Sequence, residues 1–422
     1  MPNITINDIT YRWPERPVVV VCVDGCDPEY LERGFQDGIL PHLAQLKQGG
    51  FYEIAHSAMP SFTNPNNVSI VTGLPPSEHG ISGNYFLDTQ RGVEVMMDDP
   101  RLLRAETILA GFASRGARVA AISAKDKLCR LLAAGRVDSR FVCFSAECAD
   151  LCTHSQHGVE GVLELVERAL PDVYSADLSL FVLDAGIRLL ERERYDLVYL
   201  SLSDYVQHKF APGSFQSNRF YRQLDERIGE LAKLDIVLGI VADHGMSDKS
   251  RDDGSPQVVY LQDELQRAFG HDQAKVILPI TDPYVVHHGA LGGFARVYCG
   301  VLPVPTVLDF IRQLPGIDGA WPRDEACQRF SLPADREADL VVLSDPHFAI
   351  GKRCGEHDLS ALGSYRLRSH GGLSEQRVPF LLSHPLTSTY SARIGHTPLN
   401  NYDIFDFAIN GTRSNKRKTP AP

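Results

Sequence analysis

Several short, continuous apolar runs punctuate this chain, and three of them end on an aspartate. PVVVVCVD (17–24), bounded by Pro and Gly, fits a strand buried on both faces. YDLVYLSLSD (195–204) and DIVLGIVADHG (235–245) have the same texture, as do ARVAAIS (117–123) and RVPFLLS (377–383). Between them lie helical patterns such as PHLAQLKQGG (41–50), which ends on glycines, and LSLFVLDAGIRLLERE (178–193). This alternation predicts an α/β fold with a mostly parallel sheet flanked by helices on both faces. Asp24, Asp204 and Asp243 would then gather at the carboxyl edge of that sheet, where ligands bind.

From about 255 to 365 the texture changes. FARVYCGVLPVPTVLDFIRQLPG reads as strand, turn and helix, followed by Pro- and charge-rich segments and the strand-like ADLVVLSD. We expect an inserted, smaller α+β cap domain over 255–365, with 1–254 and 366–422 forming the core. A chain of 422 residues that is 43% hydrophobic can bury cores of this size. The formal net charge of -11, from 42 basic and 53 acidic residues, argues against an electrostatic grip on nucleic acid. The nine cysteines form no CxxC pair, so neither a zinc ribbon nor a disulfide framework is signalled, and reduced thiols are expected. The opening residues lack the basic-then-apolar order of a signal peptide, and no stretch has the length of a membrane span, so the expected location is cytoplasmic. The tail NGTRSNKRKTPAP reads as a frayed end.

Within this frame, PSFTNPNNVSIVTG (60–73) admits two readings. Thr63 could cap a helix, with Pro65 just inside it. Alternatively, the free N–H groups of that helix end surround a nucleophilic hydroxyl that attacks a phosphorus atom held there. The second reading needs metal or base chemistry from elsewhere, and the chain offers it. SDYVQH places Asp204 and His208 four residues apart, on one face if a helix begins there. Asp243 and His244 are adjacent at the end of an apolar strand, where burial is costly unless a cation engages them. His370 lies in a Gly-rich turn, RSHGGLSEQRVPF, before another apolar strand. Six nitrogen and oxygen donors without thiolates suit zinc, with manganese or iron as lesser fits. They are too many for one catalytic ion with an open position, and two ions sharing them is the economical solution.

These motifs carry a resemblance. PSFTNPNNVSIVTGLPPSEHGISGNYF resembles the nucleophile region of the alkaline phosphatase superfamily, in particular its nucleotide pyrophosphatase/phosphodiesterase branch. SDYVQH, DHGM (243–246) and the HGG turn (370–372) are similar to the metal motifs of that branch in order and rough spacing. The resemblance covers residues 17–250 and 366–385. VCVDGCDPEY, PSFTNPNN and SAKDKL narrow it to the phosphonoacetate-hydrolysing group, zinc enzymes that cleave a carbon–phosphorus bond. The resemblance implies an alkaline phosphatase-like core in which Thr63 is the nucleophile and also a ligand to the activating ion. It implies Asp24, Asp243 and His244 around that ion, and Asp204, His208 and His370 around the other. It further implies that Asn84 donates to a phosphoryl oxygen, and that Lys125 and Lys127 face the substrate carboxylate.

One departure is Gln207, where many relatives have Gly before the His. Without the resemblance, SAKDKLCRLL would read as a helix start with solvated charges. Both lysines can meet one ligand only from the loop after ARVAAIS, because two positions apart on a helix they diverge. HHGALGG (287–293) is unassigned and reads as a surface turn. Two alternatives stay open: a phosphodiesterase or nucleotide pyrophosphatase, with Tyr85 and Phe86 as the nearby candidates for a base slot, and a metal-stabilised binding protein. The expected partner is a small phosphonate, with no nucleic acid or membrane, and a homodimer stays open.

Overall fold

The computed structural model describes residues 3–280 and 291–413. His287, His288 and the end of the tail lie outside the described residues. Each apolar run singled out above is a strand of one seven-stranded sheet: Val18–Cys22, Val119–Ser123, Leu197–Ser201, Val237–Val241 and Arg377–Leu382. In the first four every residue is buried, as expected of strands covered on both faces. The two helical patterns form the helices Pro41–Gly49 and Asp177–Arg192. The sheet gains two strands that the apolar pattern does not announce. Phe51–His56 is a half-exposed edge strand, and Phe141–Ser145 is buried but flanked by polar sequence.

The strand order is Phe51–His56, Arg377–Leu382, Val237–Val241, Val18–Cys22, Leu197–Ser201, Val119–Ser123, Phe141–Ser145. Arg377–Leu382 pairs antiparallel with both neighbours, and every other pairing is parallel. This reversal has a consequence for the site. A reversed strand presents its amino end at the carboxyl edge of the others, so the residues just before it, His370 to Glu375, arrive beside Asp24, Asp204 and Asp243.

A second, four-stranded antiparallel sheet has the order Lys275–Ile277, Phe294–Tyr298, Leu340–Ser344, Ile317–Pro322. The helices Leu261–Phe269, Val304–Ile311 and Arg323–Phe330 accompany it. Its apolar core includes Met59 and Phe62, which belong to the segment just before Thr63. The two packed layers therefore meet at the candidate nucleophile. No helix among the described residues is long and apolar enough to cross a membrane.

A buried ion pair joins the turns of this edge. Lys249 Nζ donates to Glu375 Oε1 at 2.9 Å, with both side chains fully buried, and to the carbonyl of Pro346 at 2.9 Å. Glu375 Oε2 accepts from the Gly372 amide at 2.9 Å, and the Glu375 carbonyl accepts from Gly245 N at 2.7 Å. Removing one partner of such a pair leaves the other charge buried, at a cost of about 3–5 kcal/mol. Lys249→Met should therefore lower the unfolding free energy measured in urea by that order, and Lys249→Met/Glu375→Leu should regain part of it. A single variant as stable as the parent would show that the pair braces nothing.

Candidate active site

Thr63 opens the helix Thr63–Thr72, with Phe62 in the capping position and no side-chain cap bond. The capping reading of Thr63 is thus not met, because the residue is already helical and its hydroxyl points elsewhere. Thr63 Oγ1 stands 3.2 Å from His244 Nε2. Pro65 is the third helical residue, within the first turn, where its missing N–H leaves no bond unmade.

Two asparagines of this helix were quoted in the motif but given no role, and the structure shows what they do. Asn66, fully buried, accepts from Ala58 N at 2.7 Å and donates to the carbonyls of Ala58, Pro60 and Phe62 at 3.0, 3.2 and 3.0 Å. It pins the segment leading into Thr63. Asn67, also fully buried, donates to the Thr63 carbonyl at 3.0 Å and to Asp243 Oδ2 at 3.2 Å. Its oxygen accepts from Tyr199 OH at 2.7 Å and Ser201 Oγ at 2.8 Å. The signal available in the sequence was two adjacent amides opening a helix that continues as VSIVT.

Asp24, Asp204 and Asp243 all follow parallel strands and are all buried. His208, His244 and His370 are buried with them. Each imidazole sets its Nδ1 against a backbone carbonyl: His208 on Arg368 at 2.9 Å, His244 on Gly245 at 2.8 Å, His370 on Ser61 at 2.8 Å. A donor at Nδ1 leaves Nε2 as the lone-pair nitrogen, and Nε2 is the atom turned to the carboxylates. His208 Nε2 lies 2.8 Å and His370 Nε2 3.8 Å from Asp204 Oδ2, and His244 Nε2 lies 3.2 Å from Asp24 Oδ1. The rings of His244 and His370 stack with centroids 3.6 Å apart. Gly371, at φ +119, is required where it stands, since a Cβ there would lie 2.3 Å from the Phe62 ring.

Electrostatics mark the cluster as incomplete on its own. Burial drives the Asp24 carboxyl well above its usual range, helped by Asp204 and Asp243. Burial and the neighbouring His244 and His208 hold His370 well below the usual imidazole value. His244 moves the other way, to about 10: burial opposes its charge but is outweighed by Asp243 and Asp24. Asp24 Oδ1 has no partner in hydrogen-bonding geometry, although His244 stands near it. Three buried carboxylates and an orphaned oxygen facing imidazole nitrogens fit divalent cations. Among the described residues, donor atoms of Asp204, His208 and His370, and of Asp24, Asp204 and His244, lie within 4.8 Å of one another. Asp243 is also engaged locally, its Oδ1 accepting from Gly25 N and His244 N at 3.2 and 3.0 Å.

The expected loop position of both lysines needs correction. Lys125, in an extended conformation, occupies the cap position of the helix Asp126–Leu132, and Lys127 lies in its first turn. They line one cavity because the extended residue does not follow the helical rotation that would separate them. The turn is held by neighbours: Lys125 N donates to Ser123 Oγ at 3.3 Å, Asp126 N to Glu147 Oε2 at 2.9 Å, and Ser145 Oγ to Asp126 Oδ1 at 3.2 Å. Lys125 Nζ lies 4.0 Å from Asp204 Oδ1. Gln207 is buried and turned to Tyr221 OH at 3.0 Å. The turn read as surface is buried over its described part, Leu291 to Gly293, with Gly293 N donating to the His370 carbonyl at 2.8 Å.

A cavity of about 80 Å³ brings together Thr63, Asn84, Lys125, Lys127, Asp24 and Asp204. It is far below the roughly 300 Å³ at which pockets for drug-sized ligands begin. Neither aromatic proposed as a base slot serves it. Phe86 is buried against Val68, Ile81 and Leu131, and Tyr85 packs on Ile277 and Tyr298.

The model of the type I phosphodiesterase / nucleotide pyrophosphatase family matches residues 18–372. The crystal structure of phosphonoacetate hydrolase from Sinorhizobium meliloti 1021, in complex with phosphonoacetate, superposes with a TM-score of 0.92 at 46% identity, covering 97% of this chain and 98% of that one. Phosphonoacetate hydrolase of Penicillium oxalicum is 54% identical over 55 residues, 12% of this chain and 76% of that sequence. An uncharacterised pyrophosphatase/phosphodiesterase of Schizosaccharomyces pombe is 37% identical over 84 residues, a match spanning 20% of this chain and only 16% of the relative's length. A family model over most of the chain and a near full-length structural relative lead to one conclusion: the chain belongs to the type I phosphodiesterase / nucleotide pyrophosphatase family, on the branch that holds phosphonoacetate hydrolase.

Proposed function

We propose that the chain hydrolyses phosphonoacetate to acetate and phosphate through a phosphothreonine at Thr63. The observation that carries this reading is the small cavity in which one hydroxyl and two lysines face a cluster of buried carboxylates. It suits a small substrate with two anionic ends. The likeness to an enzyme crystallised with phosphonoacetate supports the same substrate.

Asp24, Asp243 and His244 would hold one divalent cation together with Thr63, and Asp204, His208 and His370 a second. Zinc suits this donor set best. When bound, such ions lower the pKa of the hydroxyl and neutralise the phosphoryl oxygens. Thr63 Oγ1 gives its proton to water and attacks phosphorus in line, the Oγ–P bond forms as the P–C bond breaks, and the electron pair passes to the departing carbon. That carbanion is tolerable only as the enolate of acetate, so its charge moves onto the carboxylate facing Lys125 and Lys127. A proton from water completes acetate, and a second water attacks phosphorus to free Thr63 and phosphate. Asn84 donates to a phosphoryl oxygen, and the start of the Thr63–Thr72 helix adds its positive end.

Metal removal gives the first test. The purified protein should hold about two ions per chain, and chelation should abolish turnover until zinc is restored. Full activity at one ion would sink the two-ion arrangement. Thr63→Ala should keep both ions and lose turnover by orders of magnitude, while Thr63→Ser should retain part of it, as read by phosphate release. An alanine variant near the parental rate would mean that water attacks phosphorus directly.

The lysines separate this reading from a diesterase. Lys125→Ala or Lys127→Ala should lower kcat/KM for phosphonoacetate by roughly 10²–10³, and leave hydrolysis of a p-nitrophenyl diester nearly unchanged. Equal losses on both substrates would assign the lysines to phosphate binding or structure and favour the diesterase.

A further inference from the structure

The stretch that carries Asn84 belongs to the chain before the inserted segment, yet its polar anchors come largely from that segment. Arg296, on the strand Phe294–Tyr298, is fully buried and paired twice with Glu337: Nε to Oε2 at 2.7 Å and Nη2 to Oε1 at 2.6 Å. The rest of the guanidinium grips the Asn84 stretch. Nη1 donates to the Tyr85 carbonyl at 2.6 Å, and Nη2 donates to the Ser82 carbonyl and hydroxyl at 2.9 and 2.8 Å. Ser82 Oγ in turn donates to Glu337 Oε1 at 2.8 Å. One cation therefore holds the residues at 82 and 85, with only Gly83 and Asn84 between them. Asn84 N donates to the Pro279 carbonyl at 2.6 Å, and Gly83, at φ +155, sits so close that a Cβ would lie 2.6 Å from the Pro279 ring. Leu87 N donates to Tyr298 OH at 3.1 Å.

We propose that Arg296, locked by Glu337, is a positioning residue that sets Asn84 against the phosphoryl group, so that the inserted segment builds part of the substrate site. The proposal rests on the reading of Asn84 as a donor to phosphoryl oxygen. A buried ion pair is a poor choice for stability alone, since apolar residues of similar volume often serve as well or better. What the guanidinium supplies is geometry: a planar fork whose donors, fixed by one carboxylate, leave the remaining N–H directions no freedom. A displacement of about 1 Å in a contact to substrate can cost up to 10²-fold in rate, so this constraint bears on turnover as well as on folding.

The test is a double-mutant cycle on the zinc-loaded enzyme with phosphonoacetate. Asn84→Ala should lower kcat/KM by roughly 10²-fold. Arg296→Met/Glu337→Met, which leaves no unpaired buried charge, should lower it by roughly tenfold or more with metal content unchanged. The three substitutions together should lose no more than Asn84→Ala alone, because a positioning residue has nothing left to act through. Ser82→Ala keeps the ion pair and should give a smaller loss that also vanishes in the Asn84→Ala background, so the cycle survives if the double variant fails to fold. Losses of equal size in both backgrounds, or parental activity in the Arg296 and Ser82 variants, would overturn the proposal. Parental activity in Asn84→Ala would overturn the reading of Asn84 itself, and the positioning proposal with it.

Discussion

Three carboxylates lie almost without access to water at the carboxyl edge of the sheet, and the surrounding structure is organised around the cost of keeping them there. Charges so placed repel one another and lose hydration, which is why burial and its neighbours push Asp24 far from its ordinary range. The protein meets this cost with groups that bring no negative charge of their own: three imidazoles, the Asn67 amide and the backbone N–H groups of Gly25 and His244. Each imidazole is turned by a backbone carbonyl, so donor direction is decided by main-chain geometry and not by the carboxylates it faces.

That arrangement depends on the sheet. Parallel strands deliver Asp24, Asp204 and Asp243 to one edge by ending there, whereas His370 arrives by the opposite route, just before the one strand that runs backwards. The Lys249–Glu375 pair then ties the turn before that strand to the turn after Asp243. A reversed strand and a buried brace together let a residue more than a hundred positions away share the site with the others.

The layer built on the four-stranded sheet contributes more than cover. Phe62 belongs to its apolar core, so the residue next to Thr63 is packed by one layer while Asn66 pins the same segment from the other. Thr63 and the cavity wall are both held at the seam, which couples the packing of that layer to the geometry of the cavity.

Much of this was legible in the chain alone. Apolar runs closed by aspartates specify buried parallel strands and their ligand edge, because a strand buried on both faces tolerates no polar residue until it ends. The D-x3-H and D-H spacings specify which donors can meet, since they are local. What local pattern cannot carry is the contact between distant segments. Asn67 reads as an ordinary helical amide until folding sets it between Asp243, Tyr199 and Ser201. Thr63, taken alone, reads first as a helix cap until the helix is seen to begin at Thr63 itself, with its hydroxyl turned to His244. The lysine pair looks divergent until one of the two proves to lie in the extended residue before a helix. Periodicity and spacing are properties of neighbours along the chain, and they announced five of the seven strands of the main sheet and the local D-x3-H and D-H pairs. Register, strand reversal and the meeting of buried polar groups across hundreds of residues are properties of the packed chain, and only the tertiary structure decided them.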